Sequence, residues 1–102
     1  MEVESWNEKT DGKFSEQALR KKLEKRGFHV SRYVYPPGTY FPDHAHEMDK
    51  IDAVVSGRFR MRTPAGEAIL EAGDMLFVAR GTVHSAEVLG NHAVVSLDAA
   101  KW

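Results

Sequence analysis

Two histidines two residues apart, His44 and His46, are the strongest candidates for chemistry in this 102-residue sequence. In a β-strand, residues i and i+2 face the same side of the sheet. Two imidazoles on one face, near a third from elsewhere in the chain, form a common site for a divalent metal ion. Histidine pairs also occur in loops that bind nothing, so the surrounding sequence has to decide between the two interpretations.

The elements that position this pair are mostly strands. From Phe28 onward the apolar residues recur with a period of two, and turn signals such as Pro36-Pro37-Gly38 and Leu89-Gly90-Asn91 separate about seven short strands. This pattern predicts an all-β fold, either a sandwich or a small antiparallel barrel. We expect residues 1–27 to form an N-terminal arm and a surface helix, and residues 28–102 to form the barrel.

One amphipathic helix is predicted over residues 15–26. Ser15 can cap its first turn, and Gly27 is placed to end it in a left-handed conformation. Leu19 and Leu23, four residues apart, give it a narrow apolar stripe that has to lie on something larger.

Composition excludes several classes of protein. The chain has a formal net charge of −1 and no cysteine, so thiol catalysis, zinc–cysteine sites and iron–sulfur clusters are excluded. No basic patch with interleaved aromatics predicts a nucleic-acid partner, and no segment has the apolar length of a membrane span. The polar, acidic start of the chain is unlike a signal peptide, so we expect a cytoplasmic protein without nucleic-acid or membrane partners.

The residues around the histidine pair resemble the first motif of the cupin family. That motif is glycine, five residues, His-x-His, three or four residues, glutamate, six residues and glycine. The residues that match it here are Gly38, His44, His46 and Gly57.

A second segment resembles the second cupin motif, which is glycine, five residues, Pro-x-Gly, two residues, histidine, three residues and asparagine. The matching residues are Gly73, Gly81 and His84. Ala79 and Val88 replace the proline and the asparagine, and neither change removes a metal ligand. The 15 residues between Gly57 and Gly73 suit the short inter-motif hairpin of small bacterial cupins.

The resemblance implies a jelly-roll barrel of two antiparallel sheets that holds a metal ion inside. Carried over by position, the ligands would be His44, His46 and His84, and the ion would be divalent iron, zinc, manganese or nickel. His29 and His92 match no motif position, so we interpret them as ordinary surface or strand histidines.

Lys50 is the main departure from the family pattern, because it stands where the family has a glutamate ligand. A four-residue gap in the motif would place Ile51 there instead. A protonated lysine cannot bind a metal ion. The ion would therefore be held by three histidines alone, or Glu47 or Asp49 would supply a carboxylate from the loop.

Two roles are open for Lys50. It can form an ion pair with Asp49 or Asp52 at the mouth of the barrel. Alternatively, because it shares strand parity with His44 and His46, it can face the cavity and act as a general base or a clamp for a substrate anion. A single β-bulge would reverse the parity argument.

The sequence favours a small metal-dependent enzyme of the dioxygenase or isomerase type that acts on a small molecule. A non-catalytic cupin that binds or senses a small ligand or a metal is the alternative. A homodimer is also predicted, because residues 75–78 are apolar on both faces of their strand and have to be covered on both.

Overall fold

The computed structural model describes all 102 residues and contains nine strands and two short helices. In chain order they are β1 (Val3–Ser5), α1 (Glu8–Asp11), α2 (Glu16–Lys25), β2 (His29–Tyr35), β3 (Tyr40–His44), β4 (Asp49–Ser56), β5 (Arg58–Thr63), β6 (Gly66–Leu70), β7 (Asp74–Val78), β8 (His84–Leu89) and β9 (Val94–Lys101). The strands that the alternating pattern did not indicate are β1 and β3. Both are short, and β3 contains Pro42, which weakens its strand signal.

The strands form two antiparallel sheets, with the orders β1-β7-β4-β9-β2 and β3-β8-β5-β6. This arrangement confirms the predicted all-β, jelly-roll class. No hydrogen-bonded ladder joins the two sheets, so they form a sandwich rather than a continuous closed barrel.

Apolar side chains of both sheets form the inner core. Its members are Val54, Phe59, Met61, Leu70, Leu76, Val78, Ala86, Val88 and Val94. The inner face of β4 carries even-numbered residues, and its odd-numbered residues face outward. This alternation places Lys50 and Asp52 on the inner face, beside Val54.

Helix α2 covers the outer face of the larger sheet. Leu19 and Leu23 are completely buried there, against residues that include Ile51, Met75 and Leu97. The helix begins after Ser15, whose hydroxyl accepts a hydrogen bond from the backbone N–H of Ala18 at 3.0 Å. The prediction of a helix over residues 15–26 is therefore confirmed to within one residue at each end.

The N-terminal segment is more structured than an arm. Strand β1 pairs with β7, and α1 forms one helical turn that Asn7 caps. Trp6 donates a hydrogen bond to the carbonyl of Gly12 at 2.9 Å and packs edge-on against Phe14. Neither α1 nor α2 has the length and apolar character needed to cross a membrane.

Gly57 forms the tight turn between β4 and β5. Its φ is +88°, and a Cβ at this position would lie 2.5 Å from the carbonyl oxygen of Ala93. Only glycine fits such a position without displacing the neighbouring backbone. This motif glycine therefore fixes the β4–β5 turn, and with it the strand that carries Lys50.

Candidate metal centre

Three histidines from different parts of the chain meet between the sheets. His44 on β3 and His84 on β8 are direct cross-strand partners, and their ring centroids are 4.2 Å apart. The His46 ring lies 4.8 Å from that of His44 and 5.2 Å from that of His84. One nitrogen from each ring can be chosen so that all three lie within 4.8 Å of one another.

His46 reaches this cluster from a loop. Strand β3 ends at His44, and its register shifts between Phe41 and His44, so the simple i, i+2 argument does not describe His46. The backbone N–H of Gly81 donates a hydrogen bond to the carbonyl of His46 at 2.8 Å. This bond ties the loop after β3 to the turn before β8, so backbone from both motifs positions the third imidazole.

Backbone carbonyls orient two of the three rings. His44 Nδ1 lies 2.7 Å from the carbonyl oxygen of Pro42, and His84 Nδ1 lies 2.9 Å from that of Thr82. A carbonyl only accepts, so each Nδ1 carries the proton and donates it. Each neutral ring then keeps the lone pair of Nε2 free, which is the arrangement that metal-binding histidines usually adopt.

Burial keeps two imidazoles in the neutral, ligating form. Removal from water lowers the pKa of His46, and the positive charge of Lys50 lowers it further. Burial also lowers the pKa of His84, although its hydrogen bond to Thr82 opposes part of that shift. Both rings are therefore poised to offer a lone pair near neutral pH.

This donor set fits a divalent transition metal. An ion with metal–nitrogen distances of about 2.1 Å keeps its ligand atoms about 3 to 3.5 Å apart, so small ring rotations would bring these nitrogens into range. Three imidazoles with no thiolate suit zinc, iron, manganese or nickel. Three protein ligands also leave coordination positions for water or substrate.

Neither carboxylate considered as a fourth ligand belongs to the histidine cluster. Glu47 is exposed, and Asp49 Oδ1 accepts a hydrogen bond from the backbone N–H of Arg80 at 2.9 Å. The group of potential ligands contains His44, His46 and His84 only. His29 and His92 are exposed and lie outside it.

Lys50 faces a cavity of about 160 Å³ that the three histidines also line. Its ammonium pairs with Asp98 on β9, and only 12% of its side chain is exposed. The alternative ion pair with Asp49 or Asp52 is therefore wrong. Asp49 lies on the outward face of β4. Lys50 lies on the inward face, where Asp98 of the neighbouring strand is its partner.

Asp52 and Asp98 are cavity residues that the sequence analysis did not identify as site residues. They are direct partners in the β4–β9 ladder, and both line the cavity with Lys50. The parity of Asp52 with Lys50 was a usable signal. No local signal in the sequence pointed to Asp98, because its place opposite Asp52 depends on the pairing of β4 with the distant strand β9.

Asp52 titrates near neutrality. Burial, reinforced by the negative charge of Asp98, raises the pKa of the Asp52 carboxyl to about 7, although Lys50 and His44 oppose the shift. No hydrogen bond holds this carboxyl, and its electrostatic neighbours are all cavity residues. The cavity therefore contains a carboxyl group that can hold or release a proton at physiological pH.

Aromatic rings form the apolar side of the cavity. Phe41 packs edge-on against Tyr35, with 4.9 Å between the ring centroids, and Phe59 stacks on Tyr35 at 5.7 Å. Burial raises the pKa of the Tyr35 hydroxyl, so this residue stays neutral. The cavity thus presents histidines, a charged group and an apolar surface to any ligand.

Comparison with known proteins agrees with this architecture. A family model described as a cupin domain matches residues 31–99. The chain belongs to the cupin family. The match spans both motifs, and together with the fold it identifies a small cupin domain. No curated protein matches the sequence.

Solved structures with the same fold include proteins with different descriptions. An uncharacterized conserved protein with a double-stranded β-helix domain from Klebsiella pneumoniae is 23% identical, with a TM-score of 0.61; the alignment covers 70% of this cupin and 64% of that chain. KdgF from Halomonas sp. is 24% identical, with coverages of 72% and 68% and a TM-score of 0.63.

A predicted oxalate decarboxylase from Thermotoga maritima is 24% identical, with coverages of 78% and 71% and a TM-score of 0.64. This cupin spans less than two thirds of the Klebsiella chain, and each of the three identities is below 25%. These similarities establish the shared fold and leave the chemistry to the site itself.

Proposed function

We propose that this cupin binds a divalent transition metal through His44, His46 and His84 and is a metal-dependent enzyme acting on a small molecule in the adjoining cavity. The observation that carries the proposal is the convergence of three imidazoles, two of which are held by backbone carbonyls with Nε2 free. Such preorganisation is typical of a ligand set rather than of histidines satisfied within a core.

A metal bound there would supply Lewis acidity or, if it were iron, redox chemistry at open coordination positions. The chain's own residues have distinct roles. The aromatic rings of Tyr35, Phe41 and Phe59 exclude water from one side of the substrate, and the Lys50 ammonium donates hydrogen bonds from the other.

Asp52 favours an enzyme over a sensor. An efficient general acid or base has a pKa near the working pH, and the Asp52 carboxyl, with a pKa of about 7, lies in the cavity without a hydrogen-bonding partner. We propose that it holds the proton that is exchanged with the substrate.

The experiment has two stages. The purified protein is first analysed for metal by elemental analysis and titrated with zinc, iron(II), manganese and nickel, and we expect one ion per chain. Each loaded form is then screened against small hydroxy and keto compounds, with oxygen uptake measured in parallel with product formation.

Oxygen consumption with iron would identify a dioxygenase-type reaction, and product formation without oxygen would identify an isomerase-type reaction. Stoichiometric metal binding with no turnover of any compound would favour the binding or sensing alternative. Absence of metal binding would overturn the proposal.

A further inference from the structure

Three charged side chains form one wall of the cavity, which we call the polar wall: Lys50, Asp52 and Asp98. Lys50 and Asp52 lie on the inner face of β4, and Asp98 lies directly opposite Asp52 on β9. Lys50 and Asp98 form an ion pair whose side chains are 12% and 23% exposed. The polar wall is therefore a fixed feature of the larger sheet, whereas the cluster of His44 and His84 is built on the smaller one.

The polar wall has unused hydrogen-bonding capacity. The Lys50 ammonium has three N–H donors, and Asp98 is its only ion-pair partner. Asp52 is held by no hydrogen bond, whereas Oδ1 of Asp98 is the atom that contacts the Lys50 ammonium. Because largely buried polar groups are normally satisfied, a bound ligand or water has to complete this wall.

The charges of the polar wall restrict which ligand group can complete it. One ammonium faces two carboxyls, and Asp98 already offsets the charge of Lys50. A ligand carboxylate would accept a hydrogen bond from Lys50 but would also lie beside Asp52 and Asp98, which repel it. A hydroxyl group both accepts from Lys50 and donates to Asp52, so it satisfies the wall without adding charge.

The cavity offers space for a small ligand. Its volume is about 160 Å³, and an apolar cavity of about 150 Å³ in another protein holds benzene, a molecule of six non-hydrogen atoms. A ligand of about this size can contact the histidines and the polar wall together. The rings of Tyr35 and Phe59 cover its carbon skeleton.

We infer that the polar wall selects small ligands that present an uncharged hydroxyl to Lys50 and Asp52, and that it rejects ligands presenting a second carboxylate there. This inference rests on the proposed metal site, which would hold the other end of the ligand. Lys50 is thus a hydroxyl-binding residue rather than an anion clamp, and Asp52 is the residue that determines specificity.

The test compares two compounds that share a carboxylate for the metal and differ at the far end: 3-hydroxypropanoate, with a hydroxyl, and malonate, with a second carboxylate. Zinc binding to the wild type is first measured by calorimetry. The dissociation constants of both compounds for the zinc-loaded protein are then determined at pH 8 for the wild type, Asp52→Asn and Asp49→Asn.

The quantity compared between variants is the malonate dissociation constant divided by that of 3-hydroxypropanoate. The difference in intrinsic zinc affinity between the two compounds is common to all variants and cancels in this comparison. We expect Asp52→Asn to lower this ratio about tenfold or more, because it removes one repelling charge from the wall. Asp49→Asn removes the same charge from the same strand but outside the cavity, so its ratio should equal that of the wild type. Asp98→Asn, as a second variant, should lower the ratio in the same direction.

The outcomes separate the two proposals. Failure of the wild type to bind zinc would overturn the proposed function and, with it, this inference. Zinc binding with the same ratio in the wild type and in both cavity variants would overturn the inference alone. Zinc binding without binding of either compound would also overturn it.

Discussion

Asp52 and Asp98 lie directly opposite each other on the neighbouring strands β4 and β9, and both face the interior of the sandwich. Like charges in directly opposed cross-strand positions are destabilising, and burial adds to that cost. Lys50 forms its ion pair with Asp98. The remaining repulsion is relieved when Asp52 takes up a proton near neutral pH. An unfavourable pair of residues thus lines the same cavity as the three histidines.

The Asp52 carboxyl should make the metal-free protein less stable at higher pH. Its pKa is about 7 in the folded protein and about 3.9 in an unfolded chain. At pH values between these two, the folded state binds more protons than the unfolded state. The free energy of unfolding therefore falls as the pH rises from about 4 to 7. The loss in melting temperature between pH 5 and pH 8 should therefore be smaller for Asp52→Asn than for the wild type, both in the presence of a chelator. Equal losses would show that Asp52 ionises normally.

Loss of a cluster histidine should abolish tight metal binding. His46→Ala and His84→Ala each remove one of three ligands, and we expect zinc affinity to fall by more than about 100-fold, since changes to outer-shell partners alone cost 10–100-fold. His92→Ala serves as the control, because His92 is exposed and outside the cluster. Calorimetric zinc titration measures all three, and similar losses in all three would contradict the assignment.

Metal binding should persist down to the pH at which ordinary histidines become protonated. Burial lowers the pKa of His46 and of His84, so fewer protons have to be displaced by the metal at a given pH. We expect the zinc affinity to change little from pH 8 down to about 6.5, the pKa of a free imidazole, and to fall steeply only below it. Titrations at half-unit intervals check this, and a steep decline already above pH 7 would disprove it.

Substitution of Lys50 should affect metal affinity and folding in opposite directions. Lys50→Glu removes a positive charge beside the histidines and adds a carboxylate where the family has its glutamate ligand, so zinc binding should tighten about tenfold or more. The same change places three carboxyls together, and the metal-free protein should melt at a lower temperature.

Lys50→Met separates charge from length, because it removes the ammonium and keeps most of the stem. It should raise zinc affinity less than Lys50→Glu does. Unchanged zinc affinity in Lys50→Glu would mean that the side chain at this position does not influence the metal site.

The homodimer predicted from strand β7 stays a prediction, and the structure offers one exposed apolar surface on β7 that could form its interface. Helix α2 covers Met75, but Phe77 on the same face is 56% exposed beside Ile51 and Val3. We expect light scattering to give twice the chain mass of 11.5 kDa and Phe77→Asp to give the monomer. Ile69→Asp, at an exposed apolar position on the other sheet, is the control. A wild-type monomer at micromolar concentration would exclude the dimer.

Local signals in the sequence were sufficient for much of the fold. Ser15 and Gly27 bounded α2 because capping depends on neighbouring residues, and the period of two located most strands. The position of His46 was harder to predict from the sequence, because β3 ends at His44 and the following loop is not a strand. That loop is held by a hydrogen bond from Gly81, which lies 35 residues after His46. Motif spacing nevertheless placed the histidine in the cluster.

The polar wall could be predicted from the sequence only in part. Strand parity offered the inward position of Lys50 as one of two alternatives, and the structure adopts it. The neighbouring aspartates were the only partners that the sequence suggested for it. Its actual partner, Asp98, lies 48 residues further along the chain. Such a contact depends on the register of β4 against β9, which is set by the packing of the whole sheet.

Strand β1 has a consequence for the behaviour of the protein in solution. It pairs with β7 along Val3–Ser5 and so occupies backbone groups that would otherwise lie at the open edge of a strongly apolar strand. An unprotected edge of this kind is a template for pairing between chains and for aggregation. Fusion partners or deletions that disturb the first five residues are therefore expected to lower the solubility of the protein even though they lie far from the histidines.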